Sequence, residues 1–150
     1  MKEKRSISTT ENHRRAIGTT LILLDELLSE FEQIARGRET RSVLYREKNS
    51  LTPEQRERLL SEITRMREVM LEIAETIGIE AKVEDLGRKV WGSSSAFWEV
   101  LVQTESKYLK GYGKVAQGLA NYLDPQIEAL VESLIGISEI SRRDSHRGAG

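Results

Sequence analysis

The residue types best suited to binding a small ligand lie in one segment, WGSSSAFWEVLVQTESKYLKGYGK, which runs from Trp91 to Lys114. Tyr108 and Tyr112 flank Gly111 at helical spacing, and glycine leaves open space beside an aromatic ring because it has no side chain. The pattern has two interpretations. Either these residues line a shallow ligand pocket, or Gly111 allows a second helix to cross closely at this point.

Trp91 and Trp98 form a second candidate site. They are seven residues apart, so they share a face if one helix contains both. Large aromatic side chains contribute heavily to protein cores and to protein interfaces alike. Their spacing therefore predicts either a cap on the core at one end of a helical bundle or an anchor for a partner protein.

A third candidate site is the basic segment 36–48. Five basic residues against two acidic ones give it a net charge of +3, and residues 1–15 have the same balance. Basic arms contact phosphate groups, and the candidate phosphate contacts here are Arg36, Arg38, Arg41, Arg46 and Lys48. The alternative is that these residues pair with acidic helices of the same chain or of a dimer partner.

Catalytic chemistry has little support in the sequence. The chain contains no Cys, which excludes disulfides, thiolate nucleophiles and thiolate metal sites. Neither His13 nor His146 has a glutamate three residues before it, so the Glu-x-x-His motif of di-metal helical bundles is missing. No P-loop run is present either. We therefore predict no catalytic residue, no cofactor and no metal, and favour a non-enzymatic protein.

Composition favours an all-helical protein, because charged residues make up 31 % of the 150 residues and proline occurs only twice. The net charge of −1 gives no overall attraction to nucleic acid or membranes. The most apolar stretch, AIGTTLILL, is too short to span a bilayer. The N-terminus lacks the apolar run of a signal peptide. We predict a cytoplasmic protein without a membrane span.

Hydrophobic periodicity predicts the helices that position these sites. The first helix begins at Thr9 or Thr10 and has an apolar row at bundle spacing, formed by Ile17, Leu21, Leu24, Leu28, Phe31 and Ala35. After Gly37 we expect this helix to resume in part through Val43, Leu44 and Tyr45. A second helix begins at a capping box of Thr52, Pro53 and Gln55 and ends before Gly78.

The second half of the chain is predicted to contain a short helix over 83–91, which Gly92 and the following serines interrupt. A long helix then runs from Phe97 to Leu123, with Gly111 and Gly118 on its inward side. Asp124 and Pro125 start the last helix. Residues 1–8 and 142–150 are predicted to be flexible ends.

These elements predict an all-α protein: an antiparallel helical bundle of about four main helices plus one short helix, with a single domain over 9–141. Because the predicted helices differ in length, an apolar strip stays uncovered, and such strips usually bind a partner. We expect a protein–protein interaction or assembly module that forms a homodimer or binds another helical protein. One alternative is a nucleic-acid-associated protein that uses segment 36–48 and the N-terminal arm. The other is a ligand-binding bundle or an enzyme of unknown class.

Overall fold

The predicted all-α class, with four main helices, is confirmed. A computed structural model describes residues 6–147, with side chains described as far as Arg142. The described residues form five helices: α1 (Glu11–Ala35), α2 (Pro53–Ile77), α3 (Leu86–Val102), α4 (Ser106–Leu109) and α5 (Leu119–Arg147). A 3₁₀ turn, Lys110–Tyr112, follows α4. The described residues contain no β-strand, and Arg41 and Arg46 form an isolated antiparallel bridge.

The chain divides into two units, one ending at Lys82 and the next beginning at Val83. In the first unit α1 packs on α2, and in the second unit α3 packs on α5. Each unit is built around an antiparallel helix pair, because Ile7 before α1 contacts Thr76 near the end of α2, and Ser106 after α3 contacts Asp124 near the start of α5. The single domain over 9–141 stays a prediction.

Local signals place the ends of α1 and α2 as predicted. Thr10 caps α1, and its hydroxyl accepts a hydrogen bond from the backbone amide of His13. Thr52 and Gln55 form the complete capping box of α2. Gly78 has φ +81°, a left-handed conformation that ends the helix with little strain because glycine has no Cβ.

Arg67 of α2 holds the two helices of the first unit together on their polar side. Its guanidinium donates to the Asp25 carboxylate at 3.1 Å and to the Ser29 hydroxyl at 3.0 Å, and it also pairs with Glu32. Hydrogen bonding to Arg67, and then to Arg36, lowers the pKa of Glu32. The apolar contact beneath this network contains the buried residues Leu28 and Ile63.

The prediction that α1 resumes after Gly37 is wrong. Residues 36–52 form a loop that folds back on itself through the bridge between Arg41 and Arg46. The carboxylate of Glu47, on the second arm of this loop, accepts hydrogen bonds from Arg38 and Thr40 on the first arm and so holds the two arms together.

The predicted break at Gly92 is also wrong, because α3 continues through it to Val102. Asp85 starts the helix by accepting hydrogen bonds from the amides of Gly87 and Arg88. Ser94 does not cap a new helix. Its hydroxyl donates to the Val90 carbonyl at 2.6 Å, a bond that a serine inside a helix makes to the preceding turn.

The predicted long helix from Phe97 to Leu123 is broken between Val102 and Leu119. Asp124 stabilises the break by accepting hydrogen bonds from the Ser106 amide at 2.8 Å and hydroxyl at 2.7 Å, and these bonds lower the pKa of Asp124. Gly118 has φ +85°, so it lies in the turn before α5 and not on an inward helical face. The last helix begins at Leu119, and Pro125 lies inside it rather than at its start.

The chain ends fall partly outside the described residues. Helix α5 extends to Arg147, past the predicted start of the C-terminal tail, and residues 148–150 are not described. At the other end residues 1–5 are not described, and Ile7 donates its backbone amide to the Thr76 carbonyl at 2.9 Å.

Candidate functional site

Helix α3 packs on α5 and has two adjacent apolar rows, only one of which contains a buried residue. The first row contains the buried Ser94, the half-buried Leu101 and the more exposed Trp91 and Trp98. A second row lies roughly 80° around the helix, since each residue advances about 100°. It consists of Leu86, Val90, Phe97 and Val100, all about half exposed. The spacings of four, seven and three residues are a helical pattern that the sequence contains. The predicted boundaries placed Leu86 and Val90 in one helix and Phe97 and Val100 in the next, so the row was not recognised.

Helix α5 contributes a matching exposed row formed by Leu130, Ile137 and Ile140. In an antiparallel pair of right-handed helices, this row falls on the same side of the pair as the second row of α3. The hydrogen bond between the hydroxyls of Ser95 and Ser138, at 3.2 Å, marks the opposite side. We call the combined surface of these seven residues of α3 and α5 the apolar face.

Charged residues of α5 avoid the apolar face. Between Leu119 and Arg142 they fall within a sector of about 80° on the other side of the helix, where Asp124, Glu128, Glu132, Glu139 and Arg142 lie. Ile135 lies on that charged side and is 46 % exposed, the same fraction as Ile137 on the apolar face. The charges of α5 therefore lie on the side of this helix away from the apolar face.

The first unit exposes a smaller apolar row on α1. Leu23, Leu27 and Phe31 are exposed there at helical spacing. Glu30 lies at the edge of this row, roughly 20° from Leu23, just as Lys89 of α3 lies roughly 20° from Val100. The apolar face of the second unit is the more extensive of the two surfaces.

The two tryptophans share the face of one continuous helix, as expected if α3 contained both. Trp91 and Trp98 are 44 % and 39 % exposed, so neither is a buried cap on a core. Both belong to the row of α3 that contains the buried Ser94, beside the apolar face. Their assignment as an anchor for a partner stays a prediction.

The candidate pocket at Tyr108, Gly111 and Tyr112 lies in α4 and the following 3₁₀ turn, not in a long helix. Tyr112 is 92 % exposed, and a Cβ added at Gly111 would meet no atom within 4 Å. The close helix crossing predicted at Gly111 is therefore wrong. Lys107 places its Nζ 5.0 Å from the Tyr108 ring centroid. A ligand site there stays a prediction.

Glu47 organises the loop 36–52. Its carboxylate accepts hydrogen bonds from the Thr40 amide at 2.9 Å, the Tyr45 hydroxyl at 2.8 Å and two nitrogens of Arg38. These donors lower the pKa of Glu47 to about 2, and the Thr40 amide has the largest effect. The hydrogen bond between the Tyr45 hydroxyl and Glu47 raises the pKa of Tyr45. Asn49 attaches the loop to α1 by donating to the Ile34 carbonyl at 2.8 Å. Sequence reasoning gave Glu47 no role, because its partners lie two to nine residues away along an irregular backbone.

Only part of the predicted phosphate-binding set is available for a ligand. Arg36 pairs with Glu32 at 3.2 Å, and Arg38 pairs with Glu47 at 3.0 Å. Among the described residues Arg41, Arg46 and Lys48 take part in no ion pair, and all three are exposed. Arg46 and Lys48 also line a depression of ≈ 340 Å³ together with Tyr45 and Asn49.

Neither a metal centre nor a membrane span is evident in residues 6–147. No group of three His, Asp or Glu side chains in this range is arranged to hold a metal ion. No helix in the same range is both long and apolar enough to cross a membrane. These findings concern the described part of the chain alone.

Comparisons with known proteins add no relative to this description. No protein family, no curated protein and no solved structure matches the chain.

Proposed function

We propose that the protein is a non-enzymatic assembly module that forms a homodimer through the apolar face of its second unit. The observation that carries the proposal is the pair of exposed rows on α3 and α5, which form one apolar surface at bundle spacing. Four buried residues, Leu28, Ala35, Ile63 and Ile127, make up the apolar core of the described residues, so apolar surface is unusually abundant outside it.

The size of the apolar face suits a dimer. Its seven half-exposed side chains present on the order of 700 Å² of accessible surface, close to the roughly 800 Å² per partner that a standard protein interface buries. The largest apolar patch on a typical monomer is about 300–600 Å². A face of this size is therefore more than a monomer normally leaves in water.

The chemistry of the face favours a second copy of the chain as the partner. A dimer with two-fold symmetry places the same surface on both sides of the interface. Because the charges of α5 lie elsewhere, such self-pairing brings no like charges of α5 together. Two antiparallel helix pairs meeting in this way form a four-helix bundle, a common and stable arrangement.

Two isoleucines of α5 supply a matched test. We expect light scattering on a sizing column to give twice the mass of one chain for the unmodified protein. Ile137→Glu should give a monomer, because it would bury a charge in the interface. Ile135→Glu should stay dimeric, since this side chain has the same exposed fraction but lies on the acidic side.

Two results would contradict the proposal. One is a monomer of unmodified protein at all concentrations reached, which would exclude self-association. The other is equal dissociation by both variants while circular dichroism shows both to be folded, which would place the interface elsewhere. The same column run detects bound nucleic acid by excess absorbance at 260 nm, as the nucleic-acid alternative predicts.

A further inference from the structure

We propose that the tip of the loop 36–52 docks on the surface of an anionic lipid membrane. The tip is Val43 and Leu44, and the basic collar around it is Arg41, Arg46 and Lys48. This surface belongs to the first unit and does not depend on the apolar face of the second unit. The tip would enter the boundary between headgroups and acyl chains, while the collar would bind lipid phosphates.

The first argument is the exposure of the tip. Val43 is 88 % exposed and Leu44 is 98 % exposed, so two adjacent aliphatic side chains stand almost entirely in water. Neither packs against the α1–α2 pair. Single exposed apolar residues are common on proteins, but an adjacent pair at the end of a protruding loop forms a wedge suited to an apolar medium.

The second argument is that the loop is held in this shape. Opposite arms are joined by backbone hydrogen bonds from Ser42 to Tyr45 and from Glu47 to Thr40, both 2.8 Å long. Glu47 and Asn49 attach the arms to each other and to α1. A preorganised tip inserts without first losing the conformational entropy of a flexible loop.

The third argument is the charge of the collar. Arg41 and Arg46 face each other at the bridge just below the tip, and no acidic residue lies between them in the sequence. Segment 36–48 has two carboxylates: Glu47 pairs with Arg38, and Glu39 is exposed, so the three basic residues of the collar keep an excess of positive charge. Arg46 and Lys48 also line the depression of ≈ 340 Å³, which extends from the collar toward Ile34 and Leu51 and has space for a phosphate-bearing headgroup.

The combination favours a membrane over nucleic acid. Basic side chains alone bind the phosphates of either surface. Aliphatic side chains at the leading edge contribute only where an apolar layer lies beneath the phosphates, as it does in a bilayer. Sequence-independent nucleic-acid surfaces instead use aromatic side chains for stacking, and Tyr45 is engaged by Glu47.

The absence of Cys allows a direct test, because one introduced thiol can carry one dye. Leu44→Cys, labelled with an environment-sensitive fluorophore, is mixed with vesicles of phosphatidylcholine containing about 30 % phosphatidylserine. We expect a blue shift and an intensity gain. The matched control, Leu71→Cys on α2, is 61 % exposed, lies outside the loop and should give no shift. Vesicles of phosphatidylcholine alone should give little response at Leu44.

Two unlabelled variants separate the contribution of the basic collar to vesicle binding from that of the aliphatic tip. Arg41→Gln with Arg46→Gln should weaken vesicle binding roughly thirty-fold, from the contribution of two basic residues near an anionic surface. Val43→Ser with Leu44→Ser should also weaken it, while leaving the loop hydrogen bonds of the Thr40 and Ser42 amides intact by NMR. Binding to duplex DNA, measured at the same salt concentration, distinguishes nucleic-acid phosphates from lipid phosphates.

The proposal is overturned by any of three results. The first is a label at Leu44 that does not respond to anionic vesicles. The second is vesicle binding that the serine pair leaves unchanged, because binding would then be electrostatic only. The third is tighter binding to duplex DNA than to vesicles with no loss in the serine pair, which would instead support the nucleic-acid alternative.

Discussion

At the scale of single residues, Glu47 has the largest effect on its surroundings. One carboxylate accepts hydrogen bonds from a backbone amide, a phenol and a guanidinium, and these donors come from both arms of the loop. Because all of them favour the charged form, the pKa of Glu47 falls to about 2. The exposed tip is thus supported by a carboxylate one residue beyond the bridge between Arg41 and Arg46.

The pH dependence of the loop follows from the sign of this shift. The folded pKa of Glu47 lies below its ordinary value near 4.5, so its stabilising contribution is complete above that value. It is lost as the pH falls from about 4.5 toward 2. We expect the Thr40 amide to exchange slowly with deuterium at pH 5 and to lose its protection near pH 2. Protection that persists unchanged below pH 2 would contradict this role.

Glu47→Gln tests the same contact at neutral pH. Glutamine keeps the size of the side chain but removes the charge and turns one acceptor into a donor. We expect exchange of the Thr40 amide to accelerate about tenfold and the pKa of Tyr45, which Glu47 now raises, to move back toward its ordinary value. Glu39→Gln, an exposed neighbour in the same loop, should change neither measurement.

At the scale of elements, the sequence predicted well where the signal was local. Thr52, Gln55 and Gly78 act within one helical turn of the positions they cap, and all three are confirmed. The second half was predicted poorly, because its decisive contacts are distant. Asp124 binds Ser106 across eighteen positions, and this contact, which no spacing rule contains, stabilises the break before α5.

Glycine, serine and proline misled the element boundaries for a second physical reason. Glycine costs a helix interior about 1 kcal/mol, serine less and proline about 3 kcal/mol, and tertiary packing can exceed each of these costs. Gly92 and Ser94 lie inside α3, and Pro125 lies inside α5. The same boundary error hid the apolar face. Leu86 and Phe97 form one row only when a single helix contains both, and the predicted boundaries assigned them to two helices.

The capping box of α2 gives a quantitative prediction at this scale. Thr52→Ala removes the hydroxyl that accepts from the Gln55 amide at 3.1 Å, so we expect a loss of about 1 kcal/mol in the free energy of unfolding. Thr64→Ala is the control, because the Thr64 hydroxyl only bonds back to the Leu60 carbonyl within the helix. That variant should be neutral or stabilising, given the higher helix propensity of alanine. Urea unfolding measures both, and equal losses would contradict the capping role.

At the scale of the whole molecule, the unusual feature is how little apolar surface is buried. A chain of this length normally buries a substantial core, yet each unit is a pair of helices with one apolar side exposed. Two-layer packing requires a second element over such a side. In the proposed dimer the second copy supplies that layer for the second unit, so assembly and folding of this unit are linked.

This linkage predicts a melting temperature that depends on concentration. A dimer that dissociates on unfolding is stabilised by mass action, and for a chain of this size we expect a rise of about 2 °C per tenfold increase in concentration. The emission of Trp91 and Trp98, the two tryptophans of the chain, reports selectively on the second unit because both lie on α3. Ile137→Glu should abolish the dependence and Ile135→Glu should retain it. A transition of unmodified protein that stays at one temperature over a hundredfold range of concentration would show that α3 and α5 fold without a partner copy, and the dimer would have to be abandoned.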